Sequence, residues 1–250
     1  MTTLFISDLH LSPDNESLIQ LTVDFLATQT KGIDSLYLLG DIFNTWLGDD
    51  IVATEFEPLI LQLQKLHQAG INTYLMVGNR DFMMGQQFAK RCGCQLLSDP
   101  TIIDLYGIKT LLMHGDSLCI DDVSYQRYRR KTRNKYLQWC FLHLPVRYRQ
   151  GISDKIKQKS HDQKKSKSFQ IMDVNETEVS RIMQQYQVRH LIHGHTHRPA
   201  IHRLKIENKP AYRIVLGDWQ GKASVLRCDD RQFELSDHRI SAADSLLRIS

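Results

Sequence analysis

The chain has 250 residues and a net charge of +4, and its 42% hydrophobic and 24% charged residues suit one globular domain with a sizeable core. No apolar run reaches the roughly 18 residues that a membrane-spanning helix needs. The first strand is predicted to begin at Thr3, so we expect no signal peptide. The five cysteines form no CxxC pair, so we expect reduced thiols and a cytoplasmic protein.

The first part of the chain predicts alternating strands and helices in the order β-α-β-α-β. Strands are expected over Thr3–Ile6, Ser35–Leu39 and Asn72–Val77, with helices from about Glu16 and over Phe56–Ala69. This alternation is typical of a mainly parallel sheet with helices packed on it.

After Pro100 the pattern changes to a hairpin, a basic segment and a series of short strands. The hairpin is predicted over Thr101–Leu105 and Ile108–Met113. The basic segment is expected to form two or more helices, with breaks at Pro145 and Gly151. A helix over Glu176–Tyr186 and five short strands complete the chain; the strands are Leu191–Ile192, Ala200–Ile206, Ala211–Leu216, Ser224–Arg227 and Gln232–Leu235.

The basic segment concentrates the positive charge of the protein. From Arg127 to Lys167 there are fourteen Lys or Arg residues and two acids, Asp154 and Asp162, so this segment carries +12 and the remainder −8. Such an asymmetry predicts an anionic partner: a phosphate-bearing ligand, a membrane surface or nucleic acid. Aromatic and apolar residues are interleaved with the cations, namely Tyr125, Tyr128, Tyr136, Leu137, Trp139, Phe141, Leu142, Leu144 and Val146.

Five of the predicted strands end in a polar cluster. The clusters are Asp8 with His10, Asp41, Asn79, His114, and His195 with His197. In sheets of this kind ligands bind outside the carboxyl ends of the strands, so we expect these seven side chains on one edge. Each cluster alone has an ordinary structural explanation, such as a turn or a helix cap, but five at equivalent positions indicate a shared site.

Seven oxygen and nitrogen ligands exceed what one tetrahedral zinc ion needs and suit two ions that share a carboxylate. We expect Asp41 to bridge the ions, with Asp8, His10 and His197 on one of them and Asn79, His114 and His195 on the other. Without thiolate, this ligand set favours Mn²⁺, Fe²⁺, Co²⁺ or Zn²⁺. Such a pair activates water for attack at phosphorus.

The clusters, in order, resemble the signature of the calcineurin-like metallophosphoesterases. The matching motifs are Asp8-x-His10, Gly40-Asp41, Gly78-Asn79, His114-Gly115 and Gly194-His195-x-His197. The resemblance implies an α/β (α+β) fold, in which a two-sheet sandwich is flanked by helices, and hydrolysis of a phosphate ester or anhydride. It also implies a core of residues 1–120 and 170–250, into which residues 121–169 are inserted as a basic, aromatic-rich helical lid.

One position departs from the wider family, where many members have a histidine after the motif asparagine. This chain has Arg80 in Gly78-Asn79-Arg80-Asp81. Arginine stays charged and cannot act as a general acid at neutral pH, but its planar fork pairs well with phosphate oxygens. We therefore expect Arg80 to stabilise charge, which suits a leaving group that departs without a proton. The competing interpretation is a surface ion pair between Arg80 and Asp81.

Five stretches resemble a branch of this family that acts in lipid A biosynthesis of Gram-negative bacteria: Gly40–Asp50, Gly78–Phe82, Met113–Cys119, Ile171–Asn175 and Ile192–Pro199. That resemblance implies attack of metal-activated water on the α-phosphorus of a UDP-linked diacylated glucosamine, giving UMP and a diacylglucosamine 1-phosphate. It also implies Mn²⁺ as the usual ion and a peripheral position on the cytoplasmic face of the inner membrane. We expect a monomer that binds no nucleic acid.

The same resemblance assigns roles to particular residues. Asp41, Asn79, Arg80 and His114 are the expected catalytic residues. Substrate contacts are expected from seven residues: Asn79, Arg80, Asp122, Ser160, Lys164, Lys167 and His195. Relatives can carry asparagine where this chain has Lys164.

Three other functions remain open at this level. A related phosphoesterase could act on a soluble dinucleotide or phosphoprotein, although Arg80 and the apolar, basic lid weigh against it. A nuclease would also use cations interleaved with aromatic residues. A non-catalytic scaffold on the same fold usually has lost ligands, and none is lost here.

Overall fold

A computed structural model describes residues 1–164 and 173–248, without the side chains of residues 159–164. It contains two β-sheets and seven α-helices within these ranges. The strands are β1 (Thr3–Ile6), β2 (Ser35–Leu39), β3 (Asn72–Met76), β4 (Gln95–Leu97), β5 (Thr101–Leu105), β6 (Ile108–Met113), β7 (His190–His193), β8 (Ala200–Ile206), β9 (Lys209–Val215), β10 (Val225–Cys228), β11 (Gln232–Ser236) and β12 (Leu246–Arg248). The helices are α1 (Glu16–Gln29), α2 (Glu57–Gln68), α3 (Gln86–Arg91), α4 (Val123–Thr132), α5 (Lys135–Leu142), α6 (Val146–Lys164) and α7 (Glu176–Gln185).

The strands form one seven-stranded and one five-stranded sheet. The first has the order β12-β11-β10-β1-β2-β3-β4, and β1 to β4 run parallel. The second has the order β5-β6-β7-β9-β8, in which β6, β7 and β9 run parallel. The carboxyl ends of six parallel strands, β1 to β3 and β6, β7 and β9, are therefore available to build a site.

Strand alternation explains why the two sheets stack. In β1, Leu4 and Ile6 pack with α1 and α2 on one face, whereas Phe5 points to the core between the sheets. That inner core joins Phe5 to Ile192 and Ile214 of the second sheet. The outer face of the second sheet packs against α7 through Val179 and other buried residues. The predicted two-sheet sandwich flanked by helices is confirmed.

Most predicted elements are confirmed within one or two residues, but the prediction that Gly151 interrupts the basic helices is wrong. Gly151 lies inside α6, and the breaks fall at Arg133–Asn134 and at Pro145. Asn134 caps α5 by accepting hydrogen bonds from Tyr136 N (3.0 Å) and Leu137 N (3.1 Å). An isolated glycine costs a helix only about 1 kcal/mol, which the rest of α6 tolerates.

Replacing Gly151 by alanine is expected to stabilise the protein. A Cβ atom at this position meets no atom within 4 Å, and Gly151 does not adopt a left-handed backbone. The gain should be about 0.5–1 kcal/mol in the free energy of unfolding, because alanine loses less backbone entropy in a helix. Chemical denaturation of both proteins measures it, and a decrease in stability would contradict the described course of α6.

The three helices α4 to α6 cover most of the predicted lid. No residue of α4 or α5 is fully buried, although both contain aromatic residues. The limits of the predicted insertion, 121 and 169, remain a prediction, since residue 169 lies outside the described ranges. Among the described helices, none combines the length and apolar character needed to cross a bilayer.

Candidate active site

The polar clusters lie together at the carboxyl ends of the parallel strands, an edge that we call the rim. Backbone hydrogen bonds join the loops there, from Asp8 N to Gly40 O (3.0 Å) and from Gly194 N to His114 O (2.9 Å). The two sheets are linked at the same level because His114 Nδ1 donates to Leu39 O at 3.0 Å. The rim therefore brings all seven predicted ligands into one region.

The backbone is strained at five of the seven predicted ligands. Asp8, His10, Asp41, His195 and His197 all have φ between 50° and 70°, in the left-handed region. Residues other than glycine rarely adopt this conformation, and it persists where the surrounding structure imposes it. Its concentration at the rim indicates that the fold stabilises a particular arrangement of these side chains.

Asp8, His10 and His197 form the first group of donor atoms. His10 Nε2 lies 3.1 Å from His197 Nε2. Asp8 Oδ1 lies 3.4 Å from His197 Nε2 and 4.0 Å from His10 Nε2. Three atoms able to offer lone pairs thus surround one point, as the sequence predicted for one of the two ions.

Asn79, His114 and His195 form the second group. Asn79 Oδ1 lies 3.0 Å from His114 Nε2 and 2.8 Å from His195 Nδ1. Asp41 lies between the groups, with Oδ1 3.7 Å from His114 Nε2 and Oδ2 3.9 Å from His10 Nδ1. Its carboxylate therefore faces both groups, which is the placement that a bridging ligand requires.

The donor atoms at the rim fit divalent metal ions. Asp8 Oδ1 and His10 Nδ1 are buried and have no hydrogen-bond partner among the described residues. Burial raises the pKa of Asp41 to about 7 and lowers the pKa of His10 to about 3 and of His195 to about 4. Neutral imidazoles offer lone pairs to a cation. Against the effect of burial, the neighbouring carboxylates raise the pKa of His114 and His197 to about 9, so these two imidazoliums balance the carboxylates until a divalent cation replaces their protons.

Among the described His, Cys, Asp and Glu residues, two sets of three side chains have donor atoms close enough to hold an ion. They are Asp8 with His10 and His197, and Asp8 with Asp41 and His114; within each set all atoms lie within 4.8 Å of one another. Because both sets contain an aspartate of the rim, a divalent ion at either point would neutralise buried negative charge.

Asp81 is a residue at the rim whose role the sequence did not reveal. It is fully buried and accepts hydrogen bonds from Gly78 N (2.7 Å), Ile42 N (2.8 Å), and Asp41 N and Phe43 N (both 3.3 Å). It thereby fixes the loops that carry Asp41 and Asn79. The signal was its position three residues after Gly78, which suits a carboxylate that closes a turn.

Arg80 does not pair with Asp81, contrary to the competing interpretation. Its backbone N donates to Asp41 Oδ1 at 2.7 Å, and its Nη1 donates to Asn44 Oδ1 at 2.6 Å. About a third of its side chain is exposed, and Nε lies 3.7 Å from Asp41 Oδ2. The guanidinium is therefore held beside the donor atoms, with part of its fork open to a ligand.

Two positions at the rim require glycine because a larger side chain would not fit. A Cβ atom on Gly78 would overlap Asp41 Oδ1, and one on Gly194 would overlap Asp8 Oδ2 and Ser7 Oγ. Neither glycine has a positive φ, so close packing against the carboxylates, rather than backbone freedom, explains them.

His193, which directly precedes the motif Gly194-His195-x-His197, supports the rim. It is fully buried, and its Nδ1 donates to Gly194 O at 2.8 Å. Its Nε2 lies 3.3 Å from Arg213 Nη1, and it can accept from that group. Burial lowers the pKa of His193 to about 3, so the ring is neutral and keeps both contacts.

Part of the positive charge of the lid anchors its helices to the core. Arg129 Nε donates to the buried carboxylate of Asp116 at 2.8 Å. Arg133 Nη2 donates to Gly78 O at 2.8 Å, directly at the rim. Arg149 pairs with Asp50 through both terminal nitrogens and is almost fully buried. These three cations hold α4 and α6 in place. The sequence analysis assigned all of the basic charge to an anionic partner and did not distinguish these anchoring residues.

Of the remaining predicted substrate contacts, Asp122 lies among the residues whose side chains the structure describes. Asp122 is buried and caps α4, since its Oδ1 accepts from Tyr125 N at 3.0 Å and from Ser124 Oγ at 2.8 Å. Ser160 and Lys164 belong to α6, but their side chains are not described, and Lys167 lies outside the described residues.

The surface of the lid exposes many large apolar side chains. Trp139 is 57% exposed and Tyr136 71%, values far above those of core aromatics. The others lie on the same helices or beside them: Val123, Leu137, Leu142, Leu144, Val146, Tyr148, Ile152 and Ile156. Most of the apolar residues predicted for the lid are therefore exposed and do not bury one another.

The chain matches the family model described as calcineurin-like phosphoesterase over residues 1–199. It is 50% identical over 233 residues to a protein of Histophilus somni (strain 2336), covering 93% of this chain and 98% of that protein. It is 44% identical over 240 residues to a protein of Nitrosococcus oceani, covering 96% of both chains. A protein of Photobacterium profundum is also 44% identical, over 91% of this chain and 93% of its own.

These three relatives are named UDP-2,3-diacylglucosamine hydrolase. The family match covers every predicted ligand from Asp8 to His197, and the relatives cover nearly the whole chain. The resemblance drawn from the sequence motifs is thus confirmed: this chain belongs to the calcineurin-like phosphoesterases.

Proposed function

We propose that this protein hydrolyses the diphosphate of UDP-2,3-diacylglucosamine, giving UMP and 2,3-diacylglucosamine 1-phosphate in lipid A biosynthesis. The observation that carries the proposal is the placement of Arg80 beside seven convergent O and N donors at the rim. The names of relatives at 44–50% identity over more than nine-tenths of the chain support the substrate. The exposed apolar surface of the lid suits a ligand with two acyl chains.

The proposed cofactor is a pair of divalent ions, with Mn²⁺ as the expected metal. Asp8, His10 and His197 would hold one ion, and Asn79, His114 and His195 the other, with Asp41 shared. When bound, the ions supply water activation and neutralise charge on the phosphate oxygens. The protein contributes fixed geometry, since the strained backbone and Asp81 hold the ligands before substrate arrives.

Arg80 and Asn79 would contact the diphosphate. Arg80 keeps its backbone N on Asp41 and one terminal nitrogen on Asn44, which leaves other donors of the fork for phosphate oxygens. We expect its charge to lie where negative charge grows as the phosphorus–oxygen bond to the leaving phosphate breaks. This placement supports electrostatic stabilisation and gives no role to proton transfer from residue 80.

The proposed lid, residues 121–169, would receive the acyl chains and rest on the cytoplasmic face of the inner membrane as part of a monomer. Its exposed apolar side chains support this, since burial of acyl chain is favourable by about 0.8 kcal/mol per CH₂. Asp122, Ser160, Lys164, Lys167 and His195 remain proposed contacts to the polar part of the substrate.

The direct test is to incubate the protein with UDP-2,3-diacylglucosamine and Mn²⁺ and to measure release of UMP. A soluble dinucleoside polyphosphate and single-stranded DNA serve as parallel substrates. UMP release from the lipid substrate alone is the expected result. Cleavage of the dinucleotide or the DNA, without UMP from the lipid, would overturn the proposed substrate.

Neutralising exposed cations of the lid is expected to weaken membrane binding. Lys131, Lys135 and Arg147 are exposed, so glutamine at all three should remove about 1 kcal/mol each of attraction to an anionic surface. Partitioning onto vesicles with anionic lipid should fall roughly 100-fold, and KM for the lipid substrate should rise. The matched control places glutamine at Arg203, Lys205 and Lys209 of the β8–β9 hairpin, which are equally exposed. Equal partitioning of both triple variants would refute a role of the lid at the membrane.

A further inference from the structure

We propose that Asp218, clamped by Arg239, is a positioning residue that orients His197 toward a metal ion. The inference rests on the metal centre of the proposed function and extends it to residues beyond the 1–199 range of the family match. Asp218 follows β9, the sixth parallel strand that ends at the rim, since β9 runs parallel to β7 with Val215 opposite His193.

His197 has contacts on both ring nitrogens. Nε2 faces the first donor group, 3.4 Å from Asp8 Oδ1 and 3.1 Å from His10 Nε2. Nδ1 faces the other way and lies 3.4 Å from Asp218 Oδ2. A carboxylate near Nδ1 favours the proton on that nitrogen, which leaves the lone pair of Nε2 for a cation. Asp218 is thus placed to set both the orientation and the tautomer of His197.

Asp218 is itself held on several sides. Arg239 donates to it twice, from Nη1 to Oδ1 at 2.6 Å and from Nη2 to the backbone O at 3.0 Å. Gln220 Nε2 donates to Oδ2 at 2.7 Å. Arg239 is in turn paired with Asp237, through Nε to Oδ1 at 2.8 Å and Nη2 to Oδ2 at 2.7 Å. A buried carboxylate with these partners cannot rotate freely away from His197.

The backbone leaves a specific space for this network. A Cβ atom on Gly217 would overlap Arg239 Nη2 and lie 2.7 Å from Ser224 Oγ. Gly217 N donates to Ser224 Oγ at 3.0 Å, which fixes the loop after β9. Trp219 N, next to Asp218, lies 3.4 Å from Asp8 O. The loop after β9 is therefore tied both to the C-terminal part of the chain and to the first ligand cluster.

The energetic consequence is a contribution to metal affinity. Carboxylates that hold the second nitrogen of a histidine ligand typically change metal affinity by about 10- to 100-fold when they are removed. Asp218 lies beside the group of Asp8, His10 and His197. Its loss should therefore lower the affinity for one of the two ions and leave the affinity for the other nearly unchanged.

The test is titration of the metal-free protein with Mn²⁺, in which free Mn²⁺ is measured by electron paramagnetic resonance. Asp218→Ala and Arg239→Ala are expected to weaken one binding step by about 10- to 100-fold. Asp218→Asn, which is nearly isosteric and keeps an acceptor oxygen, should lose less affinity for Mn²⁺ than Asp218→Ala. At saturating Mn²⁺ the kcat of all three should return to within a few fold of wild type. Arg231→Ala is the control, since Arg231 is an exposed arginine in the turn before β11.

The inference is overturned if Asp218→Ala and Arg239→Ala bind Mn²⁺ like wild type, whether or not their melting temperatures fall. It is also overturned if wild type binds no Mn²⁺, because the metal centre itself then fails. Failure of the proposed substrate is distinguishable: wild type would bind Mn²⁺ without releasing UMP, and the comparison of Mn²⁺ affinities would still decide the role of Asp218.

Discussion

Replacing Asp41 by alanine is expected to lower kcat by about 10³-fold or more. Asp41 is the carboxylate placed between the two donor groups, within 4 Å of both His10 and His114. Its loss removes the shared charge that would hold two cations close together, and such clamps supply several kcal/mol of transition-state stabilisation. Since each 1.4 kcal/mol corresponds to a factor of ten, about 4 kcal/mol gives the stated loss.

The loss of activity should not come from unfolding. Burial raises the pKa of Asp41 to about 7, above its usual value of 3.8, so in the metal-free protein the ionised carboxylate opposes folding. The Asp41 carboxyl therefore binds a proton more tightly in the folded state than in the unfolded state. As the pH rises from about 4 to about 7, the free energy of unfolding that this proton contributes is lost. Asp41→Ala removes this penalty but also the carboxylate that raises the pKa of His114 to about 9, so the melting temperature of the metal-free protein at pH 7.5 should change little.

The measurements are kcat with saturating substrate, the number of Mn²⁺ ions bound per chain and the melting temperature of the metal-free protein. His114→Ala, at the second donor group, should show a comparable loss of turnover. Asp230→Ala, at an exposed position in the turn before β11, is the matched control and should behave like wild type. A kcat near that of wild type in either rim variant would refute the two-ion arrangement.

The fold was predictable where the chain repeats a pattern over enough residues. The alternation of Leu4, Phe5 and Ile6 between two cores is what an apolar strand buried on both faces requires. Strand β4 has three residues and α3 has six. Neither is long enough for the spacing of its apolar residues to show a strand or helix period, so neither was predicted. The break between α4 and α5 depends on a single capping residue, Asn134, which is common in loops as well.

The candidate ligands were predictable because each follows an apolar strand within one to four residues. Asp218 also follows an apolar strand, β9. The sequence alone does not show whether β9 runs parallel or antiparallel to its neighbours, so Asp218 could not be assigned to the rim. Its partner Arg239 comes 21 residues later in an ordinary charged segment, and only folding brings the two together. Likewise, the sequence could not separate the lid arginines that anchor helices, such as Arg129, from those free to meet a ligand.

Replacing Arg80 by alanine is expected to lower kcat by about 10²- to 10³-fold, a loss typical for removing one preorganised donor that stabilises developing charge. The residue is partly exposed, and its side chain contributes one hydrogen bond, to Asn44. Its backbone N, which donates to Asp41, is retained in the variant. The melting temperature and the Mn²⁺ affinity should therefore change little, and the effect should appear in turnover.

Arg80→Lys and Arg80→His separate charge, geometry and proton transfer at this position. Lysine keeps the charge without the planar fork, so its kcat should lie between those of wild type and alanine. Histidine adds a group that titrates near neutral pH, and its kcat should fall as the pH rises above about 6.5, where the ring loses its charge. In the wild type, titration of residue 80 should not lower kcat as the pH rises above about 6.5, because a guanidinium stays charged near neutral pH. If Arg80→Ala turned over as fast as wild type, the positive charge beside Asp41 would have no part in the reaction, and the leaving phosphate would depend on the metal ions alone.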